Sequence, residues 1–314
     1  MARAAMDQID SQAELKSLFQ LAREGDNSQL LQSLDTIESH DDWPVPAREH
    51  TLHAFATGLG DLPAGSVNSE VIDYLVRYEP RTIVPHRDHA RIGVPLYNIR
   101  AATIGSLNEW RRQSAFKRSR QLLALGSEAW LDAYQSAGPQ QKKGFRDALE
   151  TLSDEQLDEL GRLSLQRSRD DTSLASVAAW SGLLRPDPAL FREALLSARG
   201  PELTHLISAA STGFSDQETY ELLSHLILHA PPGTAALAIA VLAPARLDQH
   251  DFTELMFDTL SDQGLGAAAA LVLASGTSPE IQQRLSDMAA RKDSLASSRA
   301  ALAIRQSPRI ENPR

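Results

Sequence analysis

Ala235-Ala236-Leu237-Ala238-Ile239, Ala269-Ala270-Leu271-Val272-Leu273 and Ala300-Ala301-Leu302-Ala303-Ile304 are three versions of one run near the end of a 314-residue chain. Their leucines stand 34 and 31 residues apart. Each run follows a helix of larger residues, opening near Tyr220, Phe252 and Ile281. A period of that size marks stacked helical hairpins, each burying its apolar face on its neighbours. The alanines allow close packing, which suits a chain with only 5% aromatic residues.

Outward from these runs, helical periodicity extends through most of the sequence. Before the repeats it predicts helices over Ala13–Ala22, Ser28–Ile37, Pro46 to about Thr57, Val67–Tyr78, Leu96–Gln113, Phe116–Leu125 and Ser127–Tyr134. Beyond Gly138-Pro139 the predicted helices are more regular, and breakers such as Gly200-Pro201, Pro231-Pro232-Gly233, Pro244 and Gly276-Thr277-Ser278-Pro279 separate them. Ser153 followed by Gln156 is a capping-box signature. No run alternates with the period of a strand, so no strands are expected. Glu79–Pro95, with three prolines besides Gly93, reads as a long loop holding at most one short helix. The domain organisation expected is a tail over 1–12, N-terminal helical repeats over 13–137, regular repeats over 138–306 and a tail over 307–314.

Paired antiparallel helices of this period resemble the HEAT/armadillo-like α-solenoid superfamily. Ile99-Arg100 followed by Ala101-Ala102 and Gly105 is similar to the hydrophobic-arginine-alanine pattern of the second helix in HEAT repeats, with Thr103 where those repeats usually carry alanine. The resemblance implies an all-α superhelical array of helix hairpins that binds partners along an exposed surface, and it reaches no specific functional family.

Charge adds the second feature. The chain carries a net −10, yet residues 81–120 hold nine basic and two acidic groups, a net +7 between flanks of −9 and −8. In this island Arg81, Arg87, Arg91, Arg100, Arg111, Arg112 and Arg118 lie among Tyr97, Asn108 and Trp110. Arginine's planar fork pairs with carboxylates or phosphates, and neighbouring aromatic rings supply desolvated anchors. Arg100, Asn108 and Arg111 fall on one side of the predicted helix. An anion-binding patch is one outcome; pairing of these arginines with acidic groups of neighbouring helices, or a solvated face, are the others.

Other chemistry is thinly represented. The pairs His50/His53, His86/His89 and His225/His229 have the spacing of two metal ligands on one helical face, but no third ligand is fixed by sequence. Gly264-Leu265-Gly266 with Ala269 matches a glycine-rich dinucleotide pattern but follows a predicted helix rather than a strand. Cysteine is absent, which excludes disulfides and thiolate chemistry. The expectation is therefore a non-catalytic scaffold or adaptor, without metal or cofactor, that docks an acidic protein partner through residues 81–120. A nucleic-acid-binding protein using the same patch is the alternative, opposed by the acidic flanks because the phosphate term needs a positive field. A metal-dependent enzyme with histidine ligands is a third. Met1–Asp7 lacks the apolar stretch of a signal peptide and no window nears the ~20 apolar residues of a membrane span. Cytoplasmic residence is expected, with a periplasmic form whose leader has been removed as the alternative.

Overall fold

Residues 11–89, 91–291 and 294–307 are described by a computed structural model and contain seventeen α-helices and two short strands. The chain runs α1 (Ser11–Glu24), α2 (Asn27–Ser39), α3 (Val45–Gly58), α4 (Ser69–Arg77), β1 (Ile83–Pro85), β2 (Gly93–Pro95), α5 (Ile99–Leu123), α6 (Ser127–Gln135) and α7 (Pro139–Leu149). It continues through α8 (Asp154–Arg167), α9 (Ala175–Leu184), α10 (Pro188–Ser197), α11 (Glu202–Gly213), α12 (Asp216–His229) and α13 (Pro232–Arg246). The last elements are α14 (His250–Thr259), α15 (Gly266–Ser275), α16 (Pro279–Ala290) and α17 (Leu295–Gln306). The all-α class holds. The expected tails lie outside the described residues over 1–10 and 308–314, while Ser11 and Gln12 already belong to α1.

Two compact units share the chain. The first comprises the described residues up to Leu125 together with Ser136–Ala148; the second comprises Gly126–Gln135 and the described residues from Leu149 onward.

In the first unit, Leu18, Leu30, Leu34, Leu52, Phe55, Leu75 and Ile99 form the core. Gly25, at φ +75°, turns the chain between α1 and α2, a conformation that glycine adopts without steric penalty. Asp26 then caps α2 by accepting the Gln29 N–H at 3.0 Å. Two sequence expectations change here. Leu96–Gln113 and Phe116–Leu125 form one 25-residue helix. The junction Gln113-Ser114-Ala115 holds neither glycine nor proline, and α7 packs onto it so closely that a Cβ on Gly144 would lie 2.1 Å from the Arg112 carbonyl oxygen. The segment read as a strandless loop contains an antiparallel hairpin, with Ile83 opposite Pro95, Val84 opposite Val94 and Pro85 opposite Gly93. Three residues per strand is too short for alternation to register, but β-branched residues and proline both favour extended backbone.

In the second unit, α9, α11, α13, α15 and α17 pack each on the next, as do α8, α10 and α12. Ala235, Ala269 and Ala300 of the repeated runs are completely buried, while Leu271 and Leu302 are exposed and Leu237 is half-buried. The small residue of each run thus faces the next helix and the leucine faces outward. Capping boxes open α8 at Ser153/Gln156, α12 at Ser215/Glu218 and α17 at Ser294/Ser297. Pro244 does not end its helix: it and Ala240, the carbonyl that loses its partner, both face solvent within α13. The other expected helices are present, their ends shifted by at most three residues.

Candidate functional site

The basic island begins at the hairpin, and the hairpin is rooted on α3. That helix turns Ala47, Leu52, Phe55 and Ala56 into the core, and Glu49 with them at 0% exposure. A carboxylate buried without partners is strongly unfavourable. The Glu49 carboxylate accepts the backbone N–H groups of Arg81 and of Thr82, the latter at 3.1 Å. These bonds pin the strand's entry. Its exit is held from the same helix: the Tyr97 ring lies 5.4 Å from that of His50 and 5.8 Å from that of His53. Successive side chains of one helix therefore grip both ends of the hairpin.

Beside this root the Arg81 guanidinium sits 3.5 Å from Glu38, whose carboxylate also accepts the Tyr74 hydroxyl at 2.6 Å. Glu38, Glu70, Asp73 and Glu79, with Tyr74 and Tyr78, line an open cleft of about 750 Å³ that Arg81 borders. Burial raises the Tyr74 phenol well above its ordinary range, and the hydrogen bond to Glu38 adds to this. Burial, then the Glu49 and Glu38 carboxylates, push Tyr78 up to about 12. Tyr97 is raised by burial and by Glu49, and His53 is lowered by burial and then by its neighbour His50.

The two strands of the hairpin pack chiefly on each other, with Val84 and Val94 half-buried. Leu96 N–H donates to the Thr82 carbonyl and His86 N–H to the Ile92 carbonyl, both at 2.8 Å, which continues the ladder on either side of Val84/Val94. Alternation then gathers Val84, Ile92, Val94 and Leu96 on one face. Ile92 is 55% exposed and Leu96 43%. On the other face Ile83, 54% exposed, leans over Gly93, where a Cβ would lie 2.6 Å from its Cγ2. The connecting turn carries the exposed Arg87 and Arg91 and the stacked rings of His86 and His89, 5.5 Å apart.

The ten residues expected to bind are therefore distributed. Arg81, Arg87 and Arg91 belong to the hairpin, Tyr97 to its root, and Arg100 to the exposed side of the first turn of α5. Arg111 lies ~16 Å further along that helix and donates to Asn108 Oδ1 at 3.0 Å. Arg112 pairs with Asp147 of α7 and, at 3.1 Å, with Glu109. Trp110 is 8% exposed and donates its indole N–H to the carbonyls of Leu59 and Leu62, both at 2.9 Å, so it anchors α5 to the core and presents no ring to a partner. Arg118 is exposed, far along α5. Arg87, Arg91, Arg100 and Arg118 have no ion-pair partner among the described residues.

Sequence reasoning missed the exposed aliphatic residues Ile83, Ile92 and Leu96, which gain significance only from the hairpin register. It also passed over Glu49 as an anchor, although a charge at the spacing of Leu52 and Ala56 on an apolar helical stripe is a readable signal. No cluster of three or more His, Cys, Asp or Glu suited to a metal ion occurs among the described residues, and none of their helices is long and apolar enough to cross a membrane. No protein-family model, curated protein or solved structure matches this chain.

Proposed function

We propose that this chain is a non-catalytic docking protein, a scaffold or adaptor whose 81–120 region binds an acidic surface of another protein, with the hairpin as the leading contact. One observation carries this reading: Arg87, Arg91 and Arg100 stand exposed, without carboxylate partners among the described residues, beside exposed Ile92 and Leu96. Unpaired cations steer a partner of opposite charge, and aliphatic residues next to them supply desolvated contacts. The acidic body around the hairpin disfavours a broad, rigid polyanion such as a nucleic-acid duplex, because its repulsion reaches about a Debye length of ~8 Å at physiological salt. A narrow acidic segment touching only the hairpin avoids that repulsion.

The architecture belongs to the same proposal. Neighbour-to-neighbour packing in the second unit, together with buried alanines recurring at 34 and 31 residues, supports a HEAT-like superhelical array of antiparallel helix hairpins.

Fluorescence anisotropy of the full chain against labelled poly-glutamate, DNA and RNA at two salt concentrations tests the function. Poly-glutamate binding that weakens with salt and with Arg87→Glu/Arg91→Glu is expected. Tighter binding of nucleic acid through the same arginines overturns the reading.

A further inference from the structure

Deepening that reading and resting on it, we infer that the hairpin recognises an acidic amphipathic α-helix, laid across its Val84/Ile92/Val94/Leu96 face, rather than an extended strand added to its edge. The edges decide between these two. In an antiparallel ladder, residues between hydrogen-bonded pairs turn their backbone groups outward. Here those residues are Ile83 and Pro85 on one strand and Gly93 and Pro95 on the other. Proline has no N–H, so each edge offers a single outward donor within its strand, from Ile83 or from Gly93. An incoming strand would leave its own carbonyls unpaired opposite Pro85 or Pro95. Prolines and charges placed in this way blunt a sheet edge against further pairing.

A partner that cannot borrow the hairpin's backbone must satisfy its own. An α-helix does so, and an apolar stripe flanked by carboxylates matches what the face displays. Four aliphatic side chains run along the ribbon, Arg87 and Arg91 stand at its turn end, and Arg100 stands exposed four residues beyond Leu96 at its root. The ribbon from Thr82 to His86 spans ~15 Å, close to three helical turns. Charge also separates this occupant from an anionic bilayer. A helix meets the hairpin alone, whereas a membrane surface would also be opposed by the net −8 carried by residues 11–80 of the same unit.

The test uses the full chain and three labelled probes at low salt: a peptide of roughly 18 residues with leucines at i, i+3, i+4 and i+7 flanked by glutamates, an isomer of it with two central prolines, and poly-glutamate. Vesicles of mixed phosphatidylserine and phosphatidylcholine form a fourth arm. Expected are preferential binding of the helical peptide, a gain in its 222 nm circular dichroism on binding, and roughly tenfold weakening by Ile92→Ser/Leu96→Ser and by Arg87→Glu/Arg91→Glu. Equal binding of the proline isomer, or indifference to Ile92→Ser/Leu96→Ser, overturns the helix inference while poly-glutamate binding leaves the acidic-partner reading standing. Failure of every acidic probe to bind overturns both. Vesicle binding in place of peptide binding, lost in the same variants, also overturns both.

Discussion

In the second unit Arg284 clasps Glu254 through both forks and lies 4.1 Å over the Phe257 ring, Arg246 donates to the Asp216 carbonyl at 3.0 Å, and Arg167 meets Asp132 at 2.7 Å. Arg299 donates to the carbonyls of Leu260, Asp262 and Gln263. Each of these reaches back between 30 and 39 residues, about one helical hairpin. In the hairpin of the first unit Arg87 and Arg91 meet no carboxylate among the described residues. The same side chain thus ties one helix to an earlier one in the second unit and is left available in the hairpin of the first. Arg112, which meets Asp147 of the following helix hairpin, belongs with the first kind although it lies inside the basic island. Local net charge does not separate the two roles; the presence of a carboxylate or carbonyl one period away does.

The largest effect that would sharpen this contrast is expected at Gly266. A Cβ there would lie 2.0 Å from the Arg299 guanidinium and 2.6 Å from the Leu260 carbonyl, so Gly266→Ala displaces the arginine from its three acceptors. A loss of about 2–4 kcal/mol in urea unfolding is expected. A neutral outcome would show that these arginine tacks contribute little. Next comes Glu49→Gln. It removes the charge from the two backbone bonds that hold the hairpin, with a loss of about 1–2 kcal/mol and faster amide exchange at Arg81 and Thr82. Unchanged exchange there would detach Glu49 from the hairpin's placement.

The pH dependence is smaller and alkaline. Tyr74 and Tyr78 have raised phenol values in the fold, so the stability they contribute is fully present below about pH 10, where the unfolded chain titrates. It declines as pH climbs from there through about 12, the value for Tyr78. Absorbance at 295 nm should show these phenols ionising later than exposed tyrosine, together with loss of helix. Ionisation of all five tyrosines near pH 10 with helices intact would contradict the packing described for the hairpin's root.

Most of the helices were legible in advance for identifiable reasons. Alanine runs at a fixed period, Ser153 with Gln156, and glycine-proline breakers are local signals, and local hydrogen bonding decides helix ends. The hairpin was not, because three-residue strands carry too little alternation and its register depends on pairing across a seven-residue turn. Trp110 illustrates a different limit. An aromatic among arginines reads as an anchor for a partner, yet its indole is held by carbonyls about fifty residues earlier in the chain. Arg112 was readable only in hindsight, since Asp147 lies 35 residues away and becomes a neighbour through close packing at Gly144.

Thermal unfolding of Arg87→Glu/Arg91→Glu beside Arg284→Glu, each paired with poly-glutamate binding, tests the division between available and structural arginines most directly. The hairpin variant should melt with the parent and lose the polymer, while Arg284→Glu should melt earlier and keep it. A hairpin variant that melts as early as Arg284→Glu, or that binds poly-glutamate undiminished, would contradict the division.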